Sequence, residues 1–550
     1  MSSPVGTRPG GTRLTRRAAL AAGAATVALP KFAIGQADNR PTITVAVQKI
    51  SNTNTLSALR EQSNVGTRIA PILTERLIDL NYQGKLEPVP GLATEWKRLS
   101  DTTVEFKLRP GVKFHNGAEM TAEDVAGSFS PQHMFGDTRP TVRGVTLPLS
   151  GGNPAVFTKE LIRDVPPVAR RLWPALEKVE IIDKYTVRFV NAAPDVTIEG
   201  RATVRGSDVV NWQAFNDAPS WLEYARKPIG TGPYKVREYK PDSMLTLDAH
   251  DEYWGGRPPI KTLRFVEVPE GSSRINGLLA GEYQFASDIG PDQIQDIEKN
   301  RAFEVQQSLV PNHRLIVFDK GHAPLRDPRM RRAMTHAIDR QAIVDALWAG
   351  RTAVPRGLQW DFYDQMLIAD WTVPKFDQAL AKQLIKDAGY KGEAITFRVL
   401  SNYYINQVAT AQVLVEMWKA VGLNVQIKMV ENWTQIFERG PERGVRDWSN
   451  SATFSDPVSS IVAQHGPNGQ QQQMGEWTDD EMNKLSIELE SSTDRARRKA
   501  VFARMLEICE REDPAYTVLH QNAVFTAKRK DIKWKAAPSF AMDFRANNWG

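Results

Sequence analysis

Eight histidines and one cysteine are the side chains of this 550-residue chain best suited to metal binding or nucleophilic chemistry, and their spacing suits neither. His115, His133, His250, His313, His322, His336, His465 and His520 are scattered, with no His-Glu-x-x-His and no close pair fit for zinc. No Gly-x-Ser-x-Gly elbow and no Walker-type phosphate loop occurs. Cys509 shares a helical face with Phe502, Met505 and Leu506, which makes it a small core residue. Asp479-Asp480-Glu481 resembles a hydrolytic carboxylate group, but Thr478 and Glu481 have capping-box spacing, and a helix start attracts acids on its own account. Gly230-Thr231-Gly232 lacks the remaining residues of a phosphate loop and leads into a strand, so it reads as a turn. An enzyme would need a catalytic set assembled from distant residues, and no cofactor is called for.

Binding chemistry is easier to place. Asn432-Trp433-Thr434 follows a strand-like run, and Arg446 to Pro457 mixes aromatic and polar groups without the periodicity of a core element. Trp360, Tyr363, Tyr403, Tyr404, Trp433 and Trp448 can stack on apolar ligand faces, and Asn432, Asn450 and Thr453 can hydrogen-bond. Phe454 and Asp456 lie in the same run.

The elements around these residues read as α/β. Thr42–Val47 alternates like a strand, and Val179–Asp183 with Tyr185–Val190 forms a hairpin pattern. Asp327-Pro328 caps a helix that buries Met330, Ala333, Met334, Ala337 and Ile338 and exposes its arginines. Thr396–Leu400, a helical stripe through Ala411, Leu414, Val415 and Trp418, and Val425–Met429 form a β-α-β unit. Residues 127 to 174 are proline-rich and irregular.

The net charge of +6 comes almost entirely from Arg8, Arg13, Arg16, Arg17 and Lys31, which no acid in residues 1 to 37 offsets. The remaining chain is nearly neutral, and a nucleic-acid surface is not implied. Arg16-Arg17 precede a short apolar run to Leu29, and Gly35-Gln36-Ala37 offers a cleavage site. This is an export leader, removed near Ala37, using the twin-arginine or the general secretory route. One cysteine permits no internal disulfide and no lipid anchor after the leader.

Leu73 to Val125, with LTERLIDLNYQGKLEPVPGLATEWKRLSDTTVEFKLRPGVKFHNGAEMTAEDV, resembles the signature of the peptide/nickel/opine-type solute-binding proteins of ABC importers. GTGPYK, YWGGRPPI and NGLLAGEYQFA continue the resemblance, which spans about Thr42 to Arg545. It implies a two-lobed periplasmic binding protein with an inserted subdomain: first-lobe parts at 38–75, 179–288 and 514–550, the insert at 76–178, and the second lobe at 289–513. It also implies a monomer that closes on a small-molecule ligand and docks on permease subunits in the inner membrane. The loop Ser51–Thr55, with Asn54, becomes a cleft wall. Where peptide-binding members place the first acid of Asp-x-x-Asp/Glu-Pro, this chain has Thr453, keeping only Asp456-Pro457. A ligand ammonium would lose a charge-assisted hydrogen bond worth about 1.5–3 kcal/mol. The expected ligand is a peptide or another small polar solute; an oligosaccharide or opine in the same role is the alternative. A periplasmic hydrolase, or a sensor or chaperone on this fold, belongs to other classes.

Overall fold

The computed structural model describes Met1 and residues 38–549 apart from 136–140, 143–144, 147–160, 402 and 442. The expected leader and much of the irregular stretch from 127 to 174 lie outside the described residues. A single ten-stranded sheet contains β1 (Thr42–Val47), β2 (Tyr234–Lys240), β3 (Met244–Ala249), β4 (Thr262–Glu267) and β5 (Phe285–Ala286). It continues with β6 (Phe303–Phe318), β7 (Ile395–Leu400), β8 (Val425–Val430), β9 (Val445–Ser451) and β10 (Tyr516–Arg529). The spatial order is β2-β3-β4-β1-β5-β10-β6-β9-β7-β8.

Two lobes share this sheet. In the first, β1 runs parallel to β4 and β5 over a core that includes Val45, Leu247, Phe265 and Phe544. In the second, β7 runs parallel to β8 and β9, and the helix Gln407–Lys419 joins β7 to β8, so Leu414 and Trp418 meet Phe397 in the core. This is the β-α-β unit read from the sequence. Between the lobes pass the longest strands, β6 of 16 residues and β10 of 14, antiparallel from Phe303 opposite Arg529 to Val317 opposite Tyr516. Their register shifts between Leu309 and His313, around Pro311, which has no N–H for the ladder. That break places a bend where the lobes meet.

A separate four-stranded antiparallel sheet orders Ala93–Ser100, Thr103–Leu108, Thr186–Asn191 and Leu176–Asp183. The hairpin from 176 to 191 pairs with Thr103–Leu108 in this sheet, across the boundary at residue 179 that the sequence suggested. Val187 and Phe189 complete one apolar face with Val104 and Phe106, and Phe106 meets Phe189 edge-on at 5.1 Å. Thr121 starts the helix Ala122–Ser128 beneath it, and the Asp124 carboxylate accepts the Thr121 N–H at 3.0 Å.

Two local readings change. Arg331, in the helix Pro328–His336, is buried rather than exposed, donating to the Pro514 carbonyl at 2.9 Å and pairing with Asp513. The helix Asp480–Ser491 is capped by Asp479, which accepts from the Met482 N–H at 2.7 Å; Glu481 points away to Arg504. The Thr478–Glu481 spacing therefore missed the cap by one residue.

Burial holds several histidines neutral. His133 and His313 are lowered to about 4, and His115, His465 and His520 to about 3, in each case chiefly by desolvation. The unfolded chain titrates these groups near 6.5, so between there and the folded values it binds protons the fold refuses. Their stabilisation is complete above about 6.5 and is lost as pH falls, at about 1.4 kcal/mol per pH unit for each proton. Glu75 works oppositely: burial raises it to about 7, and its contribution fades as pH rises through that value. The melting temperature should thus peak near neutral pH and fall steadily from pH 6.5 to 5. A flat thermal-denaturation profile over that range would contradict the neutral histidines.

Candidate functional site

A cavity of about 600 Å³ lies between the lobes and the insert. Its second-lobe wall is aromatic and is assembled from three segments. The Asn432 side chain caps the helix Trp433–Phe437 by accepting the Gln435 N–H at 3.1 Å, which brings Trp433 and Phe437, four residues apart, onto one face. Trp448 of β9 meets Trp433 edge-on at 5.0 Å, and Tyr403, from the loop after β7, meets Trp433 at 4.8 Å and Tyr404 at 4.6 Å. Mutual edge-to-face contacts fix these rings before any ligand arrives.

Two buried ion pairs brace this wall from behind. Arg446 pairs with Glu476 through two 2.7 Å hydrogen bonds, and its guanidinium lies 4.5 Å from the Trp448 ring centre. Arg314 pairs with Asp447 and stacks 3.6 Å from the Tyr404 ring centre. Gln407 donates to the second Asp447 oxygen at 2.8 Å. On the cavity side of β9, Ser449 accepts from the Tyr404 hydroxyl at 3.0 Å, and Ser449 and Ser451 both accept from Asn312.

The first-lobe and insert wall is polar and charged. Glu61 accepts from the Ser51, Thr53 and Ser63 hydroxyls, so the loop after β1 folds around its carboxylate. Asp195 accepts from Thr197 and from Arg201 at 2.7 Å, and Arg201 continues to Glu490 of the second lobe at 2.8 Å. Asp164 pairs with Arg60 at 3.1 Å. Arg171 and Arg205 also line the cavity. The lobes touch at its rim: the Tyr403 hydroxyl accepts from the Asn64 N–H at 3.1 Å, and the Val196 N–H reaches the Glu490 carbonyl at 2.9 Å. Among the described residues, no three His, Cys, Asp or Glu side chains gather to hold a metal.

Of the twelve residues expected at the site, Tyr403, Tyr404, Trp433, Trp448, Thr453 and Phe454 line this cavity. The others lie elsewhere. Trp360 is buried in the second lobe, stacked 4.2 Å from His313, and Tyr363 is buried beside it, bonded to Ser460 at 2.7 Å. Asn432 serves as the helix cap just described. Asn450 is fully buried two residues beyond Trp448 and does not line the cavity. Asp456 caps the turn Pro457–Ser459 and takes the Arg498 guanidinium at 2.8 Å. Asn54, at φ 55°, bonds Asp242 at 3.3 Å, while its neighbours Asn52 and Thr53 face the cavity. Sequence reading missed Glu61, Asn64, Arg171 and Arg205. Arg171 has no acid three or four residues away, whereas Asp208 stands three residues after Arg205, so spacing did not single the two out as a pair.

Two α/β lobes crossed by paired strands, with a walled cavity between them, define a clamshell binding protein. The chain belongs to the bacterial extracellular solute-binding proteins, family 5, whose model matches residues 87–471. It is 25% identical to the dipeptide-binding protein of Escherichia coli K12 over 486 residues, covering 84% of this chain and 86% of that protein. A solved dipeptide-binding protein from Pseudoalteromonas sp. SM9913, in complex with Met-Leu, superposes with TM-score 0.79 at 20% identity, covering 91% of this chain and 98% of that one. AgaA of A. tumefaciens R10, in complex with agropinic acid, superposes with TM-score 0.73 at 19% identity, covering 91% and 96% respectively.

Proposed function

We propose that the protein is the exported solute-binding component of an ABC importer and that it encloses a small polar, non-peptide solute in this cavity. The carrying observation is a 600 Å³ space walled by both lobes, because a ligand touching both stabilises the closed form by its differential affinity. Residues 1–37 act as the leader, with cleavage near Ala37 and delivery to the periplasm by the twin-arginine route. No described helix is long and apolar enough to cross a membrane. The closed monomer then presents the solute to the permease subunits and catalyses no reaction.

A peptide is disfavoured by the chemistry of the wall. Thr453 stands where peptide binders carry an acid, and the cavity carboxylates Glu61, Asp164, Asp195 and Glu490 are already engaged. Thr453→Asp should strengthen binding of a dipeptide such as Ala-Phe by about 10- to 100-fold, the equivalent of one charge-assisted hydrogen bond. Calorimetric titration of both proteins checks this; tight dipeptide binding by the unaltered protein would refute the non-peptide reading. For the transport role, opines, oligosaccharides, peptides and metal chelates are screened by thermal shift, and deletion is scored for loss of uptake. Consumption of a compound by pure protein, with no stabilising ligand found, would favour the hydrolase instead.

A further inference from the structure

Arg171 and Arg205 are the cavity's uncommitted cations. Arg171 closes the helix Val165–Leu172, and Arg205 follows the short helix Ile198–Arg201. The chain brings these two segments side by side: Arg201 donates to the Leu172 carbonyl at 2.9 Å, and the Trp173 indole donates to Ser207 at 2.8 Å. Gly206, at φ 99°, lies so close to Leu172 that a Cβ there would sit 2.5 Å from its methyl group. Both arginines line the same cavity. Among the described residues, Arg205 gives one hydrogen bond to the Ser63 carbonyl at 2.9 Å and forms no carboxylate pair, and Arg171 has neither a hydrogen bond nor an ion pair. Glu61 and Asp208 attract Arg205 through space, but Glu61 is spent on Ser51, Thr53 and Ser63, and Asp208 accepts the Gly206 N–H at 2.9 Å.

A basic residue in the last turn of a helix is favoured by the dipole, which accounts for Arg171 being basic. It does not account for a second guanidinium lining the same cavity from the adjoining segment, at the expense of desolvating both. Burial and the neighbouring Arg205 charge lower Arg171 to about 10. Like charges sharing one desolvated wall are an unfavourable arrangement that a bound anion relieves.

The geometry points to an anion subsite in which Arg171 and Arg205 hold a carboxylate or phosphate of the solute while its apolar body lies against Tyr403, Trp433 and Trp448. The guanidinium fork suits either oxyanion. This inference rests on the cavity being the solute site, and it adds that the solute bears negative charge. It also places the charged contact on the insert side and the stacking contact on the second lobe, so one ligand bridges both walls.

The test uses the full mature chain and three probes of one shape: phenylacetate, phenyl phosphate and neutral phenylacetamide. At least one anionic probe should bind the unaltered protein about tenfold or more tighter than the amide, and the ratio of the two anions separates a carboxylate from a phosphate site. Arg171→Gln should weaken the anion by about 10- to 100-fold and leave the amide unchanged; Arg171→Lys should retain part of the affinity. Ligand-free Arg171→Gln should melt at or above the unaltered protein, since it removes an unpaired cation. A lower melting temperature, or equal binding of acid and amide, overturns the anion subsite. If the amide binds every variant alike, the solute-binding reading stands without the subsite. If no probe and no screened compound binds, both readings fail.

Discussion

Asp447→Ala is expected to destabilise the protein by about 3–5 kcal/mol, the usual consequence of stripping the partner from a buried charge. Asp447 and Arg314 are both almost completely shielded from solvent, and the Arg314 side chain is only 1% exposed. Without the carboxylate the guanidinium has no water to turn to, and Gln407 loses its acceptor as well. The loss reaches the site because Arg314 supports Tyr404 by stacking and Asp447 belongs to β9 between Arg446 and Trp448. Urea denaturation should show the drop in midpoint at unchanged slope, with a parallel loss of ligand-induced stabilisation. The double variant Arg314→Met/Asp447→Leu should recover most of the stability, since it removes the charge together with its partner. A single variant within about 1 kcal/mol of the unaltered protein would show that solvent reaches Arg314.

These ion pairs mark where sequence reading reached its limit. Trp433, Trp448, Tyr403 and Tyr404 were legible because aromatic rings in non-periodic, polar surroundings have little use in a core. Trp360 and Tyr363 have the same composition and the opposite fate: His313, brought over by β6, covers one, and Ser460 satisfies the other. Asp456 follows the same logic, since Arg498 reaches it from a helix 42 residues on. Local elements fared better. The β-α-β unit around Trp418 pairs two strands joined directly by one helix, Ile395 opposite Val425, whereas the hairpin at 176–191 found Thr103–Leu108, far earlier in sequence, as its partner. Arg171 and Arg205 depend on a non-local crossing of the same kind, at Leu172 and Gly206. Spacing encodes what a segment can do alone; burial and partnership are decided by segments that meet only in the fold.

Closure of the lobes can be tested at Gly200, which faces Phe454 across the rim. A Cβ at Gly200 would stand 2.6 Å from the Phe454 ring, nearer than two carbons tolerate. Its backbone is helical, so a larger residue strains the contact rather than the chain. Gly200→Val should therefore act as a wedge, penalising the closed state by about 1–3 kcal/mol while the open state keeps its own cores intact. Apparent affinity falls by the fraction of molecules able to close, here about 10- to 100-fold, and the ligand-free melting temperature stays close to that of the unaltered protein. Small-angle scattering in the presence of ligand should show a larger radius of gyration than for the unaltered protein. Phe454→Ala in the same chain gives the valine room, and although it removes a ring from the cavity wall, it should restore closure relative to Gly200→Val alone. Full affinity and an unchanged radius for Gly200→Val would mean that the solute binds without this rim contact, and that closure is set by the Arg201–Glu490 and Asn64–Tyr403 contacts instead.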